Sequence, residues 1–141
     1  MRGCAAACAL LGLVSCAQVA HAPVGSRFGL ERGLAVEVCY PPGVVAFLRR
    51  LRCADGSQAR EVERVSVGAR TATSKSDPRL LEQLDAGRPL RPGEPDLHIV
   101  ERFTLSCPEG DKQVYLDMYH CLQPPPTQPP AGLGLEQPSR G

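Results

Sequence analysis

Hydrophobic and polar positions alternate most regularly in residues 96–121, DLHIVERFTLSCPEGDKQVYLDMYHC. Two alternating runs flank the turn-forming residues PEGD at 108–111, and this pattern predicts a β-hairpin. If those four residues form the loop, the facing pairs are Cys107 with Lys112, Leu105 with Val114, Phe103 with Leu116 and Ile99 with His120. One face of the hairpin is then apolar, as a core requires. Its members are Ile99, Phe103, Leu105, Val114, Leu116 and Met118.

The opposite face of the predicted hairpin carries charge and aromatic side chains. In this register Arg102 lies across from Asp117, which is a favourable cross-strand pair. An exposed stripe of tyrosine and aspartate is typical of a contact surface. The candidate contact face consists of Arg102, Tyr115, Asp117 and Tyr119. The alternative is a sheet face covered by a helix, with Leu80 and Leu84 against the two tyrosines.

The rest of the domain predicts further strands and one helix. Residues 34–40 alternate as a strand does, and residues 58–70 form a strand whose change of phase indicates a bulge. Residues 44–53 fit both a helical stripe and a strand face, and their β-branched start favours a strand. A short helix is expected to begin at Asp77, because a capping side chain precedes a proline at the first helical position.

The predicted fold class is therefore α+β and β-rich, a small antiparallel sheet of about five strands with one short helix. Four segments follow along the chain: a signal peptide at 1–15, a flexible tether at 16–33, the domain at 34–121 and a disordered proline-rich tail at 122–141. The tail has six prolines and no periodic apolar pattern, which is typical of disorder with polyproline character.

The N-terminal residues indicate export. Arg2 precedes an apolar stretch at 5–14 that is too short to span a membrane and has the length of a signal-peptide core. The next residues, LVSC at 13–16, resemble a bacterial lipobox, and this resemblance implies a diacylated Cys16 as the new N-terminus. By the sorting rule of such lipoproteins, Ala17 implies the outer membrane. The alternative is ordinary secretion with cleavage after Ala22.

Four cysteines remain in the exported domain, and an even number there predicts disulfides. The hairpin separates Cys107 from Cys121 by far more than the Cα distance of about 7 Å that a disulfide allows. A strand at 44–53 separates Cys39 from Cys53 in the same way. Two pairings are then left, Cys39–Cys107 with Cys53–Cys121, or Cys39–Cys121 with Cys53–Cys107. We expect the first pairing. A helix running back along the sheet would start the next strand near Cys53, and the far end of that strand would then place Cys107 near Cys39.

Metal and catalytic chemistry are not expected. The histidines at 98 and 120 and the four cysteines could bind zinc or copper(I), but metal-binding spacings are absent and the predicted register puts His98 and His120 on opposite faces. Asp117 and His120, three apart on a strand, would also face opposite ways and could not act with a serine such as Ser66 or Ser106. We predict no metal, no cofactor and no enzymatic activity.

The function predicted from the sequence is an exported bacterial envelope lipoprotein with a non-catalytic binding or structural domain. Its partners would be the membrane, through a lipid anchor, and another envelope protein; its location would be the periplasmic side of the outer membrane. A formal net charge of +1 gives no reason to expect nucleic acid. The alternatives are a secreted, unlipidated binding or inhibitor-like domain and a periplasmic metal-handling protein.

Overall fold

The computed structural model describes residues 19–21, 26–73, 77–85 and 87–137, so the predicted leader and Cys16 lie outside the described residues. The predicted α+β, β-rich class with two disulfides is confirmed. The elements in chain order are β1 (Val19–His21), a 3-10 helix (Arg32–Leu34), β2 (Val36–Glu37), α1 (Tyr40–Arg50), β3 (Leu51–Arg52), β4 (Arg60–Ala69), α2 (Arg79–Glu82), β5 (Ile99–Ser106), β6 (Lys112–Asp117) and β7 (Gly134–Glu136).

The strands form two sheets rather than one antiparallel sheet of about five strands. The larger sheet has the order β2-β6-β5-β4, and β2 runs parallel to β6 while the other pairs are antiparallel. The smaller sheet has the order β1-β7-β3 and is antiparallel. A parallel pair is possible because the long chain between β2 and β6 returns the polypeptide to its starting side.

The predicted hairpin is present as β5 and β6, with a register shifted by two residues. Phe103 faces Val114 and Leu105 faces Lys112, because Cys107 leaves the ladder to bond with Cys53. A shift of two keeps every side chain on its face. The apolar face therefore remains in the core, where Phe103, Leu105, Val114 and Leu116 are buried.

Residues 44–53 are mostly helical, so the strand predicted there is wrong. Helix α1 begins at Tyr40, and prolines occupy its first turn, where they cost no hydrogen bond. The buried side chains Val44 and Phe47 are three residues apart, which is the spacing of a helix face. Val45, which a strand would have buried, is exposed. The predicted short helix is the single turn α2, and Leu84 beyond it is exposed rather than packed on the hairpin.

The predicted tail is ordered as far as residue 137, which corrects the expectation of disorder over 122–141. Leu133 and Leu135 belong to the core, and β7 lies between β1 and β3. Arg50 donates hydrogen bonds to the carbonyls of Glu136 (2.8 Å) and Pro126 (3.2 Å). These contacts hold a proline-rich strap, residues 122–137, against α1 and the smaller sheet.

The predicted tether is also ordered in its described parts. Val19–His21 is strand β1, and the backbone of buried Gly29 bonds to Leu34 (2.7 Å) and to Tyr115 of β6 (2.9 Å). The chain therefore packs along β6 before it enters β2. No helix within the described ranges is long and apolar enough to cross a bilayer.

The two disulfides join Cys39 to Cys121 and Cys53 to Cys107, with Cα–Cα distances of 4.4 and 5.6 Å. This is the second of the two pairings left open by the sequence, and the preference for the first was wrong. The physical reason is that β2 runs parallel to β6, so that both strands end at the same edge of the sheet. Cys39 and Cys121 follow those two ends and lie close together.

Candidate functional site

Six ionisable residues meet at one edge of the larger sheet. At this edge β4 and β6 end, β5 begins and the parallel strand β2 ends. The residues that close or follow these strand ends therefore come together, although they are scattered along the chain. We call them the histidine–carboxylate cluster: Glu37, Arg70, Asp96, His98, Asp117 and His120.

The two aspartates of the cluster shape the backbone at the strand ends. Oδ1 of Asp96 accepts the backbone N–H of His98 (3.1 Å), and Oδ1 of Asp117 accepts that of Tyr119 (3.1 Å). Both are turns in which an aspartate side chain binds the amide two residues later. In each turn Oδ2 is left to face the cluster.

His120 is positioned by the continuation of the β2–β6 pairing beyond the strand ends. Its backbone N–H donates to the carbonyl of Val38 (3.2 Å), and the adjacent Cys121 is bonded to Cys39. Because regular strand geometry stops at Asp117, His120 turns back toward that residue, with 3.0 Å between Nε2 and Oδ2 of Asp117. The prediction that Asp117 and His120 face opposite ways was wrong.

The two histidines also lie together rather than on opposite faces. Nδ1 of His98 is 3.3 Å from Nε2 of His120 and 3.0 Å from Oδ1 of Asp96. Nε2 of His120 is 3.3 Å from Oδ2 of Asp96. His98 and Asp117 are almost fully buried, at 2% and 0% exposure, so their charges must be compensated inside the protein.

The charges of the cluster balance through the carboxylates. Burial would lower the pKa of His98 and of His120, but their hydrogen bonds to Asp117 and Asp96 outweigh it and raise both pKa values to about 9. Burial would raise the pKa of Asp117, yet its hydrogen bonds to the histidines hold this pKa below its usual range. Arg70 supplies a third cation, with Nη1 2.6 Å from Oε1 of Glu37 and 3.5 Å from Oδ2 of Asp117.

A cleft of about 290 Å³ opens beside the cluster. Glu37, Asp96, His98 and His120 contribute to its wall, and Tyr119 adds an aromatic ring that stacks on His98 with 5.3 Å between centroids. None of the described residues that line this cleft is a serine, threonine or cysteine. The cleft is therefore a polar recess with two imidazoles and two carboxylates, those of Glu37 and Asp96, within reach of a ligand.

The predicted contact face is divided between two places. Arg102 faces Tyr115 in the middle of the hairpin and lies 3.6 Å from Glu63 of β4, rather than opposite Asp117. Asp117 and Tyr119 lie instead at the cluster and the cleft.

The serines considered as nucleophiles are not part of the cluster. Ser106 ends β5 at the edge far from His98, and Ser66 faces Glu101 within the β4–β5 pair.

Sequence reasoning missed three members of the cluster, Glu37, Arg70 and Asp96. It considered His98 and His120 as metal ligands but rejected them because the predicted register put them on opposite faces. Two short patterns could have indicated the cluster, D-L-H at 96–98 and D-M-Y-H at 117–120, since each joins an aspartate to a histidine beside a strand end. Comparisons with models of protein families, with curated proteins and with solved structures found no match. The function is therefore inferred from the site alone.

Proposed function

We propose that the protein is a non-catalytic binding module of the bacterial envelope, exported as a lipoprotein and anchored through Cys16, with the cleft beside the histidine–carboxylate cluster as its ligand site. The observation that carries the proposal is the pair of disulfides, Cys39–Cys121 and Cys53–Cys107. Disulfides that join distant parts of a small domain are typical of oxidising compartments such as the periplasm.

Strand β1 supports cleavage at Cys16 over ordinary secretion. Val19–His21 pairs with Gly134–Glu136 of β7, so β1 covers one edge of that strand. Cleavage after Ala22 would remove β1 and leave β7 paired with β3 alone, whereas cleavage before Cys16 keeps the smaller sheet whole. The lipoprotein interpretation is thus the one in which the mature chain retains all of its strands.

An anchor at Cys16 would hold the domain close to the membrane. Only Ala17 and Gln18 separate the acylated residue from β1, and a fully extended chain spans about 10 Å at most over this distance. The edge of the smaller sheet would then lie beside the lipid headgroups. A partner of this module would accordingly be another envelope protein near the membrane surface.

The arrangement of His120 favours binding over catalysis. Its Nε2 contacts Asp117, and its Nδ1 faces Oε2 of Glu37 at 3.6 Å. Among the described residues, neither ring nitrogen is directed at a hydroxyl or a thiol, as general-base activation of a nucleophile requires. What the cleft offers is a fixed set of charges and donors that can hold a polar ligand.

The experiment that tests the proposal is intact and peptide mass spectrometry of the protein from its native envelope, with and without reduction. We expect an acylated N-terminus at Cys16 and a gain of about 4 Da on reduction, two hydrogens for each disulfide. The matched control is Cys16→Ser, which should move the protein from the membrane fraction to the soluble fraction. An N-terminus at Pro23 would overturn the anchor, and free thiols in the native protein would overturn the oxidised domain.

A further inference from the structure

Four side-chain donor atoms of the histidine–carboxylate cluster converge on one point. They come from Asp96, His98, Asp117 and His120, and all four lie within 4.8 Å of one another. Asp96 and His98 lie just before β5, Asp117 ends β6 and His120 follows it, and these two strands are neighbours in the larger sheet. The backbone turns and the Cys39–Cys121 disulfide described above hold them in place.

The distances between these side-chain atoms are close to those of a tetrahedral coordination site. Bonds of 2.0–2.1 Å from zinc to imidazole nitrogen and carboxylate oxygen place neighbouring ligand atoms about 3.3 Å apart. The two imidazole nitrogens are 3.3 Å apart, and Nε2 of His120 is 3.0 Å from Asp117 and 3.3 Å from Asp96. Nδ1 of His98 is 3.7 Å from Oδ2 of Asp117 and 3.0 Å from Oδ1 of Asp96, whereas His120 contacts Oδ2 of Asp96. Coordination therefore requires a rotation of the Asp96 carboxylate that brings one of its oxygens to the point shared with the other three ligand atoms.

The fixed charges of the cluster also suit a divalent cation. Three carboxylates, those of Glu37, Asp96 and Asp117, face one permanent cation, Arg70, and −3 plus +1 leaves −2. One divalent cation, taking the place of the two histidine protons, neutralises this charge with both imidazoles neutral. The guanidinium lies beside the point on which the four donor atoms converge, with Nη1 of Arg70 2.6 Å from Glu37, 3.4 Å from Nε2 of His120 and 3.5 Å from both aspartates. Because like charges repel, we expect a bound cation to move Nη1 away from His120 and the aspartates while its contact with Glu37 is retained.

A carboxylate lies behind one of the imidazoles, as in many metal sites. Nδ1 of His120 faces Oε2 of Glu37 at 3.6 Å while Nε2 is directed into the cluster. A carboxylate hydrogen-bonded in this position orients a metal-binding histidine and increases its basicity, and Glu37 would form that bond on moving closer by about 0.5 Å. Access is provided by the cleft, on whose wall Asp96 and His120 keep 15% and 12% of their side chains exposed.

We propose that Asp96, His98, Asp117 and His120 bind one divalent transition-metal cation of the zinc type at the wall of this cleft. Imidazole with carboxylate in a tetrahedral arrangement suits Zn²⁺ and its spectroscopic substitute Co²⁺. The inference names the ligand of the cleft and rests on the proposed function only in taking that cleft as the binding site. It does not depend on the lipid anchor.

The test uses the chain from residue 16 onward with Cys16→Ser, exported behind an ordinary secretion leader so that both disulfides form. After treatment with a chelator, Zn²⁺ is titrated by calorimetry and Co²⁺ by visible absorption. We expect one cation per chain and the intense visible bands of tetrahedral Co²⁺. His120→Ala removes a ligand and should weaken Zn²⁺ binding at least about 100-fold, since loss of outer orienting groups alone costs about 10–100-fold.

Asp96→Asn is the second variant, because it keeps the size of the side chain and an oxygen that can accept the local hydrogen bonds. It should also weaken Zn²⁺ binding, with circular dichroism unchanged. The matched control is Glu94→Gln, the same chemical change two residues away on a carboxylate that pairs with Arg88 at 2.9 Å. This control should bind Zn²⁺ as the parent protein does.

The proposal is overturned if the parent protein fails to bind one Zn²⁺ per chain. Equal weakening by Glu94→Gln and Asp96→Asn would overturn it too, because binding would then follow net charge rather than the four ligands. These outcomes are separate from the fate of the anchor. A soluble native protein that binds Zn²⁺ would reject the lipoprotein alone, and an acylated protein without Zn²⁺ binding would reject the metal site alone.

Discussion

Leu135→Ala tests whether the proline-rich strap is part of the folded domain. Leu135 lies on β7 with 0% exposure, in the same core as Leu51 and Phe103. The substitution removes three buried carbons, worth about 2.4 kcal/mol at about 0.8 kcal/mol each. A residual cavity of about 50 Å³ adds about 1.2 kcal/mol. We therefore expect the free energy of unfolding to fall by about 3.6 kcal/mol.

Urea denaturation of the oxidised protein, followed by circular dichroism, measures this loss. At an m-value of about 1.5 kcal/mol/M, the midpoint should fall by about 2.4 M with the slope unchanged. The matched control is Leu122→Ala in the same strap, where the side chain is 62% exposed and the change should stay within about 0.5 kcal/mol. Equal effects of the two substitutions, both below about 1 kcal/mol, would mean that the strap is not packed as described.

Two further predictions concern the removal of each disulfide and the replacement of two glycines. Replacing Cys39 and Cys121 by alanine should lower the free energy of unfolding by about 4.5 kcal/mol, since this disulfide closes a sequence separation of 82 residues. Replacing the cysteines of the other disulfide, with a separation of 54 residues, should lower it by about 4.2 kcal/mol. Zn²⁺ titration at low temperature should show weaker binding for the first pair only, because that disulfide adjoins His120. Gly29→Ala would bring its Cβ to 2.9 Å from the side chain of Pro130. Thermal unfolding should show a larger loss than for Gly56→Ala, which has a similar positive φ but open space around it.

The faces of the central hairpin could be predicted from the sequence because side chains on a strand alternate strictly. Phe103, Leu105, Val114 and Leu116 share the core in any register displaced by an even number of residues. The register itself could not be predicted from the PEGD turn. Whether Cys107 stays in the ladder depends on the disulfide to Cys53, and that is a tertiary constraint.

Two segments were misjudged because local composition did not decide their structure. Residues 44–53 carry β-branched side chains that favour a strand, but prolines at the start and a spacing of three between Val44 and Phe47 let the segment form a helix that buries one side. In the strap, Leu133 and Leu135 are a short alternation among prolines. The two strand partners of Leu135, Ala20 and Leu51, are far away in sequence, so that no local window shows the pairing.

The cluster could not be predicted because it depends on where strands stop. Strand periodicity places Asp117 and His120 on opposite sides, and this holds only while the strand continues. Strand β6 ends at Asp117, where the aspartate side chain accepts a hydrogen bond from the backbone N–H of Tyr119 and the chain turns. Rules for regular elements describe cores well, but residues at element ends escape them, and chemically active groups are often found there.

The disulfides and the proposed metal site are two consequences of one constraint. Thiolates are strong zinc ligands, but in an oxidising compartment they are converted to disulfides, and all four cysteines of the described residues are bonded in this way. A metal site in such a chain must therefore use imidazole and carboxylate, which are the donors in the cluster. The Cys39–Cys121 disulfide then acts on binding indirectly, since it fixes the backbone beside His120 and so reduces the conformational freedom that a metal ion would otherwise have to restrict. A site of His and Asp ligands that is held in place by a disulfide should keep its affinity for Zn²⁺ in air, whereas oxidation would destroy a site of thiolate ligands.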